Sequence, residues 1–387
     1  MAFENQVIRF PRPPRIAAYI RSRLRPLDID PEVVNQVLAC YRLELTRPPK
    51  NLPNTRRNRN LIVETTAGKK VFKLYREDWR IQTIIHEHSI LAFLAQVGFP
   101  APRLVATPNA ETYISFAGQN YALFDFACGT NYSSNFLLRA HRQILMRLAG
   151  QTLASLHQQL KGFMPQGQHH LGFKSYTGGR HRDLAWHIEK ISELRETSSR
   201  IGEPEDKFHL DWLTRNSGYF LEEIGRLDEE LRNAPLPRVV IHGDYGLHNL
   251  LFKNMHQAIP VDFELARLEW RLSDLVSCLS RFRYGKGPYD FESIRWFMEA
   301  YTAVYPLGNE EWQHIPQVWR FYRLQAAVQY WNSYFETNGP TRKLISARDA
   351  VAQADWAVSH AEIVLGFNPK HTPNVSSPNA YSPDAKI

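Results

Sequence analysis

The stretch Val239-Val-Ile-His-Gly-Asp-Tyr-Gly-Leu-His-Asn-Leu-Leu-Phe252, followed by Ala258-Ile-Pro-Val-Asp-Phe-Glu264, decides the reading of this chain. An apolar run typical of a buried strand delivers His242, Gly243 and Asp244 into a loop, which Asn249 closes five residues later. The runs Leu250–Phe252 and Ile259–Val261 then predict a short hairpin that returns Asp262 to the same end of the strands. Three oxygen-bearing side chains thus converge. Asn249 and Asp262 are hard oxygen donors of the kind Mg²⁺ takes beside water and phosphate oxygens. Asp244 is suited to take a proton from a hydroxyl nucleophile. Phosphoryl transfer needs little more than held phosphates, an oriented acceptor and a base. The bland alternative is that all three merely cap turns, as Asp and Asn often do.

The pattern H-G-D-x-x-x-x-N with a following D-F-E resembles the aminoglycoside phosphotransferase and choline kinase superfamily, which has the protein-kinase-like fold. Within it, the chain is most similar to the bacterial group holding homoserine, spore-coat and stress-response kinases. The resemblance implies an α+β, two-lobed fold with a small β-rich N-terminal lobe and a large helical C-terminal lobe. It implies Asp244 as catalytic base, and Asn249 and Asp262 as ligands of magnesium on ATP. Gly243 stands where regulated protein kinases place an arginine, and no A-P-E segment follows Asp262, so control by activation-loop phosphorylation is not expected.

Upstream, Leu61–Glu64 and Val71–Tyr75 flank a T-T-A-G-K-K turn and predict a hairpin. Alternation places Lys73 on a strand face with Val71 and Tyr75. Residues 80–97 have apolar side chains at spacings of three and four and predict a helix, in which Glu87 falls on the apolar stripe. A carboxylate there is costly unless paired. Lys73 is its natural partner, and kinase-like folds use such a pair to grip the α- and β-phosphates. Two separate surface charges are the alternative. The segment Y-A-L-F-D-F-A-C-G resembles the family's hinge between lobes, where backbone groups around Phe124 and Phe126 meet adenine. L-A-S-L-H (153–157) resembles its first large-lobe helix, with His157 expected to pack.

Residues 46–60 lack an apolar period and are expected to form a loop. They also lack glycine, so Arg56, Arg57 and Arg59 are candidates to supply charge where a glycine-rich phosphate loop would offer amides. The expected layout is a basic extension and helix over 1–45, a nucleotide lobe over 46–128, a catalytic and substrate lobe over 129–365, and a disordered tail over 366–387. Asp274 is expected to cap a helix over 275–283. Glu264 is a candidate to assist the metal or bind substrate, with solvation or a salt bridge as the alternative. The His169-His170 pair reads as solvated loop, and His86-Glu87-His88 point apart on their helix.

The chain has 387 residues, 43% hydrophobic and 22% charged, an ordinary globular composition long enough for two lobes. Its net charge is +8, yet residues 1–60 hold twelve Arg/Lys against five acids, so nearly all of the excess is N-terminal. Nucleic-acid binding, a solvated face and a need for anionic phosphates all fit a basic stretch. With a kinase constellation present and no nucleic-acid fold signal, nucleic acid is not expected as a partner. Residues 5–27 are Arg-rich and acid-free, as in a transit peptide, but Pro11, Pro13 and Pro14 interrupt a helix there. Cys40, Cys128 and Cys278 form no C-x-x-C pair, which points to a reducing, cytoplasmic setting. No apolar run is long enough to span a bilayer, so no membrane partner is expected.

The expected activity is ATP- and Mg²⁺-dependent transfer to a hydroxyl of a small molecule. A protein Ser/Thr kinase of the stress-response type shares these residues but needs an open acceptor cleft. A nucleotide-binding pseudokinase scaffold is the non-enzymatic alternative.

Overall fold

The computed structural model describes residues 29–52, 59–132, 138–199, 204–282, 289–337 and 339–368. The extension before residue 29, Arg56, Arg57 and the tail beyond 368 lie outside the described residues. The chain divides into two compact units. Among the described residues, one holds 29–81 and 102–128 with Tyr132, and the other holds 82–101, 129–131 and those from 138 onward.

The first unit opens with helix α1 (Pro31–Cys40), where Asp30 caps the Glu32 amide and Pro31 takes the first turn. Strands β1 (Leu45–Asn51), β2 (Arg59–Thr65), β3 (Gly68–Leu74), β4 (Ile114–Phe116) and β5 (Gln119–Asp125) form one antiparallel sheet in the order β1-β2-β3-β5-β4. The β2–β3 hairpin turns where the T-T-A-G signal predicts it, with Thr65 paired to Gly68. Phe72 and Leu74 of β3 pack with Leu61, Val63, Leu123 and the Val34, Val37 and Leu38 face of α1 into one core. Each such side chain contributes about 1.5–3 kcal/mol on burial.

One expectation fails here. Residues 45–51 are a strand, not a loop. β1 is the sheet edge, paired only to β2 and with register shifts between Leu45 and Lys50, so Pro48 and Pro49 break no interior ladder. An edge strand with exposed side chains needs no apolar alternation. Leu104 makes a single bridge to Phe124.

The second unit contains α2 (Ile81–Gln96), α3 (Arg139–Gln159), α4 (Leu184–Ser198), α5 (Pro204–Asn233), α6 (Arg271–Leu279), α7 (Phe291–Val304), α8 (Asn309–Glu336), α9 (Arg342–Ser359) and α10 (Ala361–Leu365). Helix α2 ends at Gly98, whose φ of +71° lets Phe99 N–H return to the Leu94 carbonyl. Gly150 of α3 lets α7 approach closely: a Cβ there would lie 2.2 Å from the Phe297 carbonyl oxygen. Two small sheets complete the unit. β6 (Arg238–Ile241) pairs with β9 (Arg267–Trp270), and β7 (Leu250–Lys253) pairs with β8 (Gln257–Pro260). Strand β9 is too short and too charged to stand out in the sequence. The β7–β8 hairpin is the one expected from the Asn249–Asp262 spacing. Among the described residues no helix is long and apolar enough to cross a membrane.

Candidate active site

Strand β6 is buried along Val239–Ile241 and ends at His242, which is itself fully buried. Gly243 then takes φ +82°, and a Cβ there would stand 2.1 Å from the Leu265 carbonyl oxygen. Only glycine meets both conditions.

Asp274 anchors the turn from beneath. Its carboxylate accepts the His242 amide at 2.7 Å and the Gly243 amide at 2.8 Å. A third bond comes from His157 Nε2 at 3.1 Å. Tyr301 lies 2.8 Å from His157 Nδ1, so the phenol donates to Nδ1 and Nε2–H donates to Asp274. Burial alone would raise Asp274, but the His157 bond and the two amides keep its carboxyl below the usual range and ionised. Asp274 lies within the first turn of α6 and does not cap a helix over 275–283. His157 is buried as expected, and it links α3 to this anchor.

Asp244 stands above the anchor, partly exposed. Asn249 Nδ2 donates to its Oδ2 and to its backbone carbonyl, both at 3.0 Å. Arg281 Nη2 donates to Oδ1 at 2.6 Å, and His248 Nε2 lies 3.3 Å from Oδ2. Burial alone would raise this carboxyl too. The His248 hydrogen bond and the Arg281 charge hold it well below the usual carboxylate range. Asn249, in a short 3₁₀ turn (Leu247–Asn249), has its amide nitrogen committed to Asp244, which leaves Oδ1 as the end able to ligate a cation.

Asp262 is exposed and adopts the left-handed conformation, φ 68° and ψ 65°. That conformation costs a non-glycine residue about 1–2 kcal/mol and is retained where the surroundings impose it. They do so here. His242 Nε2 bonds the Val261 carbonyl at 3.1 Å, and the Val261 amide donates to the Asn249 carbonyl at 2.9 Å. The backbone beside Asp262 is thus tied to both ends of the loop that carries Asp244 and Asn249. The structure brings together the three residues singled out in the sequence.

No group of three His, Cys, Asp or Glu side chains able to hold a metal occurs among the described residues. One amide oxygen and one carboxylate fit a hard divalent cation that takes its other ligands from phosphate and water, and do not fit an all-protein cage.

In the first unit, Lys73 is buried with its ammonium 4.7 Å from the Tyr75 ring and 6.0 Å from Phe124. Phe124 is buried in β5, while Phe126 is half-buried with Lys69 over its ring at 3.8 Å. Arg59 is exposed in β2. Glu87 is buried in α2, within the second unit.

His169 is not solvated. It is buried, takes the Leu171 amide on Nδ1 at 3.1 Å, and meets the Glu264 carbonyl with Nε2 at 3.1 Å. Glu264 is buried as well, which removes the solvated reading. Around His169 the polar loop folds onto α2: Gln168 N–H donates to the Gln82 carbonyl, and Ser89 Oγ takes the Gln166 amide. Gly167, at φ +70°, permits the approach. Arg281 and His248 were not singled out in the sequence. His248 stood inside the motif, four residues after Asp244, whereas nothing in the sequence marked Arg281.

Residues 50–307 match the phosphotransferase enzyme family (APH), and the chain belongs to that family. A homoserine kinase of Phenylobacterium zucineum (strain HLK1) is 24% identical over 293 residues, covering 75% of this chain and 81% of that protein. Among solved structures, an amicoumacin kinase in complex with AMP-PNP and Ca²⁺ superposes with a TM-score of 0.62 at 14% identity, covering 88% of this chain and 96% of the other. A microcompartment-associated aminopropanol kinase gives a TM-score of 0.60 at 16% identity, with coverage of 87% and 100%. These likenesses show the protein-kinase-like fold.

Proposed function

We propose that this protein transfers the γ-phosphoryl group of ATP, with Mg²⁺, to a hydroxyl of a small molecule. The observation that carries the reading is that Asp244 and Asn249 are hydrogen-bonded in one turn, and that the backbone next to Asp262 is bonded to both ends of it. Asn249 Oδ1 and Asp262 would hold the cation, whose role when bound is to neutralise charge on the phosphates. Asp244 accepts the proton of the acceptor hydroxyl as its oxygen bonds the γ-phosphorus, and the electron pair of the breaking P–O bond leaves on ADP. Asp274 fixes the backbone that aims Asp244, through His242 and Gly243.

Lys73 and Glu87 serve the nucleotide phosphates in this reading. Each is a buried charge within its own unit, and a buried charge is costly without an opposite one, which supports the reading for each separately. Phe124 and Phe126 lie at the end of β5 where the family's hinge segment meets adenine. The homoserine and aminopropanol kinase relatives favour a small hydroxyl compound as acceptor.

Thermal unfolding with and without Mg·ATP tests the assignment. At 100 times Kd, a ligand stabilises by about 2.7 kcal/mol, or roughly 5 °C for a chain of this size. Asp262→Asn, which tolerates the left-handed backbone, should lose the Mg²⁺-dependent part. A wild-type protein indifferent to Mg·ATP would refute the reading.

A further inference from the structure

The group beside the proposed base is a cation. Arg281 Nη2 sits on Asp244 Oδ1 at 2.6 Å, and Nη1 lies 3.2 Å from His248 Nε2. The other oxygen of Asp244 is engaged by Asn249. Oδ2 takes Asn249 and faces His248 as well, so an acceptor hydroxyl reaches Asp244 at Oδ1, beside the guanidinium. Tyr322 and Tyr330 of α8 also influence Arg281, and Tyr322 is fixed by a 2.7 Å bond to Ser277. Among the described residues, the charged or titratable groups facing this guanidinium include the Asp244 carboxylate, the His248 imidazole, the Tyr322 and Tyr330 phenols and the Cys278 thiol. A cationic acceptor would meet a like charge at the base, whereas a carboxylate would meet a fork of donors matched to it.

Resting on the phosphotransferase reading above, the geometry points to Arg281 as the residue that selects acceptors bearing a carboxylate close to the reacting hydroxyl. The carboxylate draws the guanidinium off Asp244 Oδ1 and, in the same movement, frees that oxygen to accept the hydroxyl proton. The hydroxyl oxygen then bonds the γ-phosphorus while the bond to ADP breaks. An acceptor without an anionic group leaves the guanidinium on Oδ1, where it weakens the base, and reacts slowly. Arg281 is a positioning and selectivity residue in this scheme, since Asp244 takes the proton.

The test compares acceptor pairs that differ by one carboxylate, homoserine with 3-aminopropan-1-ol and serine with ethanolamine, by Mg·ATP-dependent ADP release. Charge-assisted hydrogen bonds predict a preference in kcat/KM of about 10- to 100-fold for the carboxylate member. Arg281→Met should erase that preference by slowing the carboxylate member while the amino alcohol holds or speeds up, and Arg281→Lys should restore part of it. A merely structural role would lower both members together. Preference for the amino alcohol, an equal fall on both members, or no turnover of any carboxylate member overturns the inference. Thermal stabilisation by Mg·ATP, measured on the same samples, separates the two claims: if it persists, only the carboxylate selection fails, and if it is absent, the phosphotransferase reading fails too.

Discussion

The carboxylate of Asp274, in α6, accepts the backbone amide of His242 at 2.7 Å although the two residues are 32 positions apart. The bond joins the first turn of a helix to the end of a strand, and the same carboxylate holds the next amide, that of Gly243. The loop bearing Asp244 is thereby fixed from below by a side chain that does not reach its surface.

Asp274→Ala should leave two buried amides and the His157 donor without an acceptor. Each unsatisfied group costs about 1–3 kcal/mol, so a loss of roughly 3–5 kcal/mol is expected in urea unfolding. Asp274→Asn keeps one acceptor oxygen and should lose less. The order wild type, Asn, Ala in unfolding midpoint checks the assignment, and equal midpoints for all three would contradict it.

Gly243→Ala places a methyl group against the Leu265 carbonyl and holds a side chain at φ +82°. Left-handed strain alone costs about 1–3 kcal/mol, and the clash forces the loop to shift. Activity should fall by about 10²-fold or more, since small misplacements of a catalytic group have that effect. By contrast, Gly179→Ala, with nothing within 4 Å of the added carbon, should leave both stability and activity near wild type.

The three candidate site residues are legible in the sequence because their spacing is local. Asp244, Asn249 and Asp262 lie on one strand–loop–hairpin unit, so strand alternation and turn length alone bring them together. Supporting residues were not legible, because they arrive from distant elements. Asp274 carried a helix-cap signature that the fold uses otherwise, and Arg281 reaches Asp244 from the segment after α6 without any periodic or motif signal. The loop containing His169 looked solvated by composition, yet its glycine at 167 and its backbone bonds to α2 bury it. Composition reports average polarity, and one close backbone approach overrides it. The edge strand β1 escaped notice for a related reason: an edge needs neither apolar alternation nor every amide, so its prolines were read as loop.

Burial also sets an acid limit. It pushes the His86 and His187 imidazoles down to about 4 in the folded protein, against roughly 6.5 in the unfolded chain. As pH falls, the unfolded chain takes up these protons first. The stability tied to each neutral ring is fully present above about pH 6.5 and is lost as pH approaches 4. The loss is of order 3 kcal/mol per ring. Denaturant titrations at pH 7 and pH 5 should show a marked drop in wild type and a smaller one in His86→Gln. An equal drop in that variant would show that His86 does not titrate this way.

The most direct measurement of the central claim is transfer of the ATP γ-phosphoryl group by Asp244→Asn, with nucleotide binding measured on the same protein. The substitution keeps the shape of the side chain and removes its ability to take a proton. ATP affinity in the presence of Mg²⁺ should stay within about threefold of wild type, while kcat should fall by roughly 10²- to 10⁴-fold, the usual contribution of a general base. Turnover within tenfold of wild type would contradict the role of Asp244 as the base and, with it, the account of this site.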